Sequence, residues 1–62
     1  MQIPKDTVIL LSYINTKLRD EFATLDDLCK SLLLDRSQLE ITLSSLGYYY
    51  HKDQNQFTQM LL

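Results

Sequence analysis

The stretch Leu32-Leu33-Leu34-Asp35-Arg36-Ser37-Gln38-Leu39 ends one helix and begins another. Asp35 is suited to the N-cap of the later helix, because its carboxylate can accept hydrogen bonds from the first backbone N–H groups. Gln38 completes the capping signature at the third helical position. Gly47 fits the left-handed residue that commonly follows a helix. This spacing predicts a helix over residues 36–46 and, with the helix before it, a helix-turn-helix.

The helix before the turn is short and begins at a second capping signature. Thr24 is the expected N-cap, and the two aspartates in the first turn suit the positive end of the helix dipole. The pattern predicts a helix over about residues 25–33. Its apolar stripe consists of Leu25, Leu28 and Leu32, with Cys29 beside it as a small buried apolar residue. Leu33 stands where such turns usually carry Gly.

A longer amphipathic helix precedes these two. Asp6 follows Pro4 and is the expected N-cap of a helix over about residues 7–22. The apolar residues of this segment recur with helical spacing and share one arc, which is the face expected to pack on the core. The arc consists of Leu10, Leu11, Ile14, Leu18 and Phe22.

The pattern changes to that of strands after Gly47. Tyr48–His51 is aromatic and β-prone, and a polar segment suited to a turn follows it. We predict a β-hairpin that pairs Tyr48–His51 with about Gln56–Met60. An isolated hairpin is marginal in water, so it must pack on the helices through Phe57 and the tyrosines of one face. The predicted fold is mainly α: a three-helix, helix-turn-helix-like core with a C-terminal β-hairpin, or reduced winged helix.

Length and composition exclude several kinds of protein and site. A chain of 62 residues has room for one domain, and its one cysteine and one histidine can form neither an internal disulfide nor a four-ligand zinc site. The net charge of −2 disfavours a phosphate backbone as partner. The apolar runs are far shorter than a membrane span, and no secretory signal is recognisable. We expect a cytoplasmic, non-enzymatic domain without a metal, cofactor, membrane contact or small-molecule substrate.

Two resemblances accompany these patterns. The turn quoted above resembles that of bacterial DNA-binding repressors, in which an N-cap opens the recognition helix. At the level of the whole chain, residues 1–58 resemble a family of very short bacterial proteins described as a domain of unknown function. The segments that carry this likeness are 3–6, 15–20, 25–29 and 55–57. The likeness implies a free-standing bacterial protein and implies no activity.

Two pairs of residues on the first helix are candidate sites. Asn15 and Arg19 lie one turn apart at the edge of the core arc, and Asn is a poor helix former in mid-helix. They either grip a carboxylate or phosphate through Arg19, or satisfy backbone groups where the hairpin docks; we expect the structural role. Ile9 and Tyr13 form a second, smaller apolar face. We predict a two-fold dimer that uses this face, or else the hairpin edge or the C-terminal tail.

The third helix bears on DNA binding. A recognition helix usually offers Arg, Lys, Asn or Gln to base edges. Here the candidate contacts are Arg36, Ser37 and Gln38, with Lys52 from the hairpin, and the other cations are scattered. The leading function is therefore a small interaction module that binds protein, itself included. The alternative is a winged-helix DNA-binding protein with weak, low-specificity binding.

Overall fold

Three helices are followed by a two-stranded antiparallel hairpin in the computed structural model, which describes residues 5–59. The elements are α1 Thr7–Asp20, α2 Leu25–Leu32, α3 Arg36–Ser44, β1 Tyr48–His51 and β2 Gln56–Gln59. The fold is mainly α and resembles a reduced winged helix, as the sequence predicts. Within the described residues, no helix is both long enough and apolar enough to cross a membrane.

Each helix begins at its predicted N-cap, whose side chain accepts hydrogen bonds from backbone N–H groups of the first turn. These caps are Asp6, Thr24 and Asp35. Because each of these bonds spans at most three residues, the starts of the helices are encoded locally.

The helices end one or two residues earlier than predicted. After Asp20, the next two backbone N–H groups both bond to the Lys17 carbonyl, which closes α1 with a wider turn. After Ser44, three successive N–H groups bond to carbonyls three residues before them, so the chain tightens into 3₁₀ turns that reach Gly47. Gly47 has the positive φ of 82° expected after a helix. α2 ends at Leu32, because the next residue is left-handed.

The core lies where the three helices meet the hairpin. Its buried members are Leu10, Ile14, Leu18, Leu25, Leu28, Cys29, Leu39, Leu43 and Phe57. The predicted stripes of the first two helices are represented in this set, and α3 contributes Leu39 and Leu43. Phe57 is the one strand residue among them, and it is 1% exposed. The hairpin therefore completes the core rather than extending from it.

The two strands pair with Tyr50 opposite Phe57. These two rings lie 5.6 Å apart between centroids, and Tyr48 joins them against the core. Tyr49 lies on the other face and is exposed. The prediction that alternate tyrosines divide between core and surface is confirmed. The hairpin extends to Gln59 in the described residues, and Met60, the last residue of the predicted hairpin, lies outside them.

Candidate functional site

Asn15 joins α1 to the outer edge of the hairpin. Its Nδ2 donates to the Phe57 carbonyl over 3.0 Å, and its Oδ1 accepts from the Phe57 N–H over 2.8 Å. Gln56 adds a bond from its Nε2 to the Asn15 carbonyl over 3.0 Å. One side-chain amide thus satisfies both backbone groups of a strand residue, as a neighbouring strand would. The prediction that Asn15 bonds to backbone where the hairpin docks is confirmed.

Asn55 makes the second connection between the hairpin and α1. Its Nδ2 donates to the carbonyls of Leu18 and Phe22, over 3.1 and 2.9 Å. Its Oδ1 accepts from the Tyr50 hydroxyl over 2.7 Å, and that hydroxyl accepts from the Leu25 N–H over 3.3 Å. Asn55 is left-handed, with φ of 54°, a conformation that Asn tolerates better than most residues. We call Asn15, Tyr50, Asn55, Gln56 and Phe57 the hairpin junction.

Arg19 does not take part in the hairpin junction. Its guanidinium bonds to the adjacent Asp20 through Nε and Nη2, over 2.9 and 3.0 Å, and its side chain is 70% exposed. The predicted structural role is therefore wrong for Arg19. Its position on the helix directs the side chain into solvent, where the nearest carboxylate is the next residue. The amide of Asn15 bonds to the hairpin and Arg19 bonds to Asp20, so the two residues do not form one polar site.

Arg36, the foremost candidate for DNA contact, is held by two carboxylates. Its Nη1 donates to Asp26 over 2.6 Å and its Nε to Glu40 over 3.1 Å, while the guanidinium lies 5.7 Å from the Tyr50 ring centre. The hydrogen bond from Arg36 lowers the pKa of Asp26. The two carboxylates offset the positive charge that a phosphate would meet at this side chain.

The four predicted DNA contacts do not share one surface. Arg36 and Lys52 line a polar cleft of about 470 Å³. The other residues that line it are Thr24, Leu25, Asp26, Glu40 and Tyr50. Gln38 lines a different, apolar groove, and Ser37 is exposed at the start of α3. The structure therefore does not gather the four residues into one basic face.

Leu33, in the turn between α2 and α3, combines an unusual backbone conformation with high exposure. It is left-handed, with φ of 57° and ψ of 43°, and its side chain is 91% exposed. The carbonyl of Cys29 accepts from the N–H groups of both Leu33 and Leu34, so the helix ends with the geometry that ordinarily places Gly at this residue. For an L-residue with Cβ the left-handed conformation costs about 1–2 kcal/mol.

An apolar groove of about 190 Å³ lies beside this leucine. It is lined by Leu10, Leu34, Asp35, Gln38, Leu39 and Thr42. Leu34 directly follows Leu33, which fixes the groove next to the turn. We call Leu33 together with this groove the turn surface.

The predicted association face on α1 is only half present. Ile9 is 58% exposed, as expected. Tyr13, however, packs partly against the core, and the Lys17 ammonium lies 5.5 Å from its ring centre. Tyr13 was expected to lie outside the core arc, and that expectation is wrong because the core extends around α1. Val8, rather than Tyr13, is the exposed apolar neighbour of Ile9.

Cys29 and His51 each bury a titratable group. Cys29 is a buried free thiol, as predicted, and burial raises its pKa. The Nε2 of His51 is buried and has no hydrogen-bond partner in the described part of the chain. Among residues 5–59, no group of three or more His, Cys, Asp or Glu could hold a metal ion.

The family of the chain follows from its match over residues 4–57 to a domain of unknown function, DUF4250. The chain belongs to this family. No curated protein and no solved structure matches it. The matched range includes all three helices of this DUF4250 chain and β2 as far as Phe57, and so contains both the hairpin junction and the turn surface.

Sequence reasoning missed two features of the DUF4250 fold. The sequence pattern predicts a turn around Asn55, but it does not predict that the Asn55 side chain donates to the carbonyls of Phe22 and Leu18, which lie 33 and 37 residues away in the chain. It noted Leu33 as a departure from Gly but did not predict its exposure. A signal for this exposure is present in the sequence: Leu33 is a large apolar residue between the end of one helix and the N-cap of the next.

Proposed function

We propose that this DUF4250 chain is a small, non-enzymatic protein-interaction module that binds through the turn surface. The observation that carries the proposal is Leu33, a large apolar side chain held in solvent by a left-handed backbone. A Gly at this position would relieve the strain and remove the exposed apolar area. Leu at this position costs backbone strain and gains no burial within the chain in return, and binding by the side chain gives a physical reason for it.

The groove beside Leu33 supports a protein partner over other ligands. Its exposed lining is mostly apolar, and its polar members are the N-cap Asp35 and two residues of α3, Gln38 and Thr42. At protein interfaces, most of the binding energy comes from a few side chains that fill well-packed pockets from which water is excluded. Burying a leucine side chain fully contributes about 1.5–3 kcal/mol.

We also propose that the module works in a bacterial cytoplasm. The resemblance stated for the sequence is to bacterial proteins. A buried thiol such as Cys29 suits a reducing compartment.

Winged-helix DNA binding is the second candidate, favoured by the order of three helices and a hairpin. The carboxylates on Arg36 weaken it, because they neutralise the strongest cation of α3. Fluorescence anisotropy with duplex DNA, between about 50 and about 200 mM salt, tests this candidate. We expect weak, sequence-independent binding with a shallow salt dependence. Sub-micromolar, sequence-selective binding at the higher salt would replace the protein-binding proposal.

The experiment for protein binding is site-specific photo-crosslinking in cells that express the chain naturally. A photoreactive residue replaces Leu33, and the matched control places it at Gln54, which is exposed in the hairpin turn away from the groove. We expect a discrete protein adduct at position 33 and none at position 54. If the two positions give the same adducts or none, the turn surface is not a binding site.

A further inference from the structure

We infer that the partner of the turn surface is a second copy of this chain, with Leu33 of each copy seated in the groove of the other. This inference rests on the proposed function and gives the module its partner. The chain carries both halves of the contact: an exposed apolar knob, and an open apolar groove beside it.

The sizes of knob and groove agree. The groove has a volume of about 190 Å³. An apolar cavity of about 150 Å³ accommodates a benzene molecule, so the groove has room for one leucine side chain. Leu10 and Leu39, which line it, are 7% and 6% exposed, so the bottom of the groove is core and does not need to rearrange.

The position of the knob favours a closed dimer. Leu33 and the groove are neighbours, because Leu34 lines the groove. A two-fold axis between them places each Leu33 opposite the groove of the other copy, which makes two identical contacts in one interface. A knob on the opposite side of the molecule from its groove would instead give an open chain of copies.

Charge complementarity supports the same arrangement. Lys30 lies one helical turn before Leu33, is exposed, and has no ion-pair partner among residues 5–59. Asp35 lines the groove and caps α3. When Leu33 enters the groove of the other copy, its Lys30 approaches that copy's Asp35, and the symmetry repeats the pair. Opposite charges beside a knob and its groove favour this register over like-charged alternatives.

The exposed apolar residues at the start of α1 do not line the groove. Val8 and Ile9 lie in the same helical turn as Leu10 and are 61% and 58% exposed. The dimer predicted from the sequence is therefore kept in this inference, but its centre moves from Ile9 and Tyr13 to Leu33.

The test is sedimentation equilibrium of the purified chain from about 1 µM to about 1 mM. We expect a reversible monomer–dimer equilibrium for the parent. Leu33→Gly keeps the backbone conformation but removes the knob from both copies, and should raise the dissociation constant at least about 100-fold. Gln54→Ala is the matched control at a remote exposed position and should leave the constant unchanged.

Complementation tests the contact itself. Thr42→Leu fills the groove from its own wall while leaving Leu33 in place, and should also be monomeric. A mixture of Leu33→Gly and Thr42→Leu restores one knob and one groove, so we expect a heterodimer that neither variant forms alone. Circular dichroism on both variants verifies that they are folded. Asp35→Asn keeps the α3 cap but removes the charge, and should weaken the dimer without abolishing it.

A parent chain that stays monomeric at all concentrations overturns the inference, as does a dimer that Leu33→Gly leaves intact. The crosslinking experiment separates this failure from that of the proposed function. An adduct at position 33 of twice the chain mass supports the second copy. An adduct with a different protein would support the proposed function but overturn the inference that the partner is a second copy.

Discussion

The hairpin junction and the turn surface contain the same backbone conformation with opposite surroundings. Asn55 and Leu33 are the two non-glycine residues with positive φ in the described chain, at 54° and 57°. Asn55 makes three side-chain hydrogen bonds, two of them to carbonyls at the end of α1. Leu33 has an apolar side chain that is 91% exposed.

The comparison teaches where this small domain gains stability and where it gives stability up. At Asn55 the conformation aims an amide at carbonyls that α1 leaves unpaired, so its cost is offset. At Leu33 only the backbone of the helix end benefits, and Gly would serve that purpose better. The junction is thus explained by folding alone, whereas folding alone does not explain Leu33 in the turn surface.

The largest effect is expected for Asn55→Ala. This change removes three hydrogen bonds and leaves a less tolerant residue in the left-handed conformation, so we expect a loss of about 2–4 kcal/mol. Asn55→Gly loses the same bonds without the strain and should be about 1 kcal/mol more stable than Asn55→Ala. Urea unfolding of both variants measures the two contributions. Equal stabilities for Ala and Gly would show that the conformation carries no cost here.

Asn15→Ala should follow, at about 1–3 kcal/mol, because it leaves the N–H and carbonyl of Phe57 unpaired. At about 4–8 °C per kcal/mol for a domain of this size, the melting temperature falls visibly. Arg19→Ala is the matched control on the same helix and should melt like the parent, since Arg19 bonds only to Asp20 at the surface. If both variants melt alike, Asn15 does not hold the hairpin.

Leu33→Gly should raise the stability of the monomer, in contrast to the two changes above. Relief of the left-handed strain is expected to stabilise the monomer by about 1 kcal/mol, measured by thermal unfolding at a concentration too low for dimers. Leu33→Ala is the control, because it removes the exposed side chain but keeps Cβ, and should change stability less. A destabilised Leu33→Gly would mean that Leu33 contributes to the fold and would weaken the contrast between the two regions.

The smallest effect concerns Arg36 and its carboxylates at the surface. The bond from Arg36 lowers the pKa of Asp26 in the folded protein, so the folded state binds fewer protons than the unfolded chain at acidic pH. This contribution is present above the unfolded pKa of about 4 and is lost as pH falls through the folded pKa. Melting temperature against pH should therefore fall less steeply on the acid side for Asp26→Asn. Identical pH profiles for Asp26→Asn and the parent would show that the ion pair between Asp26 and Arg36 does not contribute to stability.

The elements of this fold could be read from the sequence because their determinants are local. The N-caps at Asp6, Thr24 and Asp35 act within three residues, and the apolar stripes repeat with the helical period. Gly47 marked the end of the third helical region in the same way. The helix ends were placed less well, since the final turns depend on which carbonyls the 3₁₀ and wider turns satisfy.

The tertiary structure decided which polar side chains meet. Asn15 and Phe57 are 42 residues apart, and Arg36 and Asp26 are ten, so their pairing depends on how the elements dock. The same docking turned Tyr13 toward the core, left Arg19 in solvent and exposed Leu33. Caps and stripes are set by hydrogen bonds and periodicity along one segment, and the sequence by itself determined those. The fixing of the hairpin, the neutralisation of Arg36 and the turn surface arise only when three helices and two strands share one core.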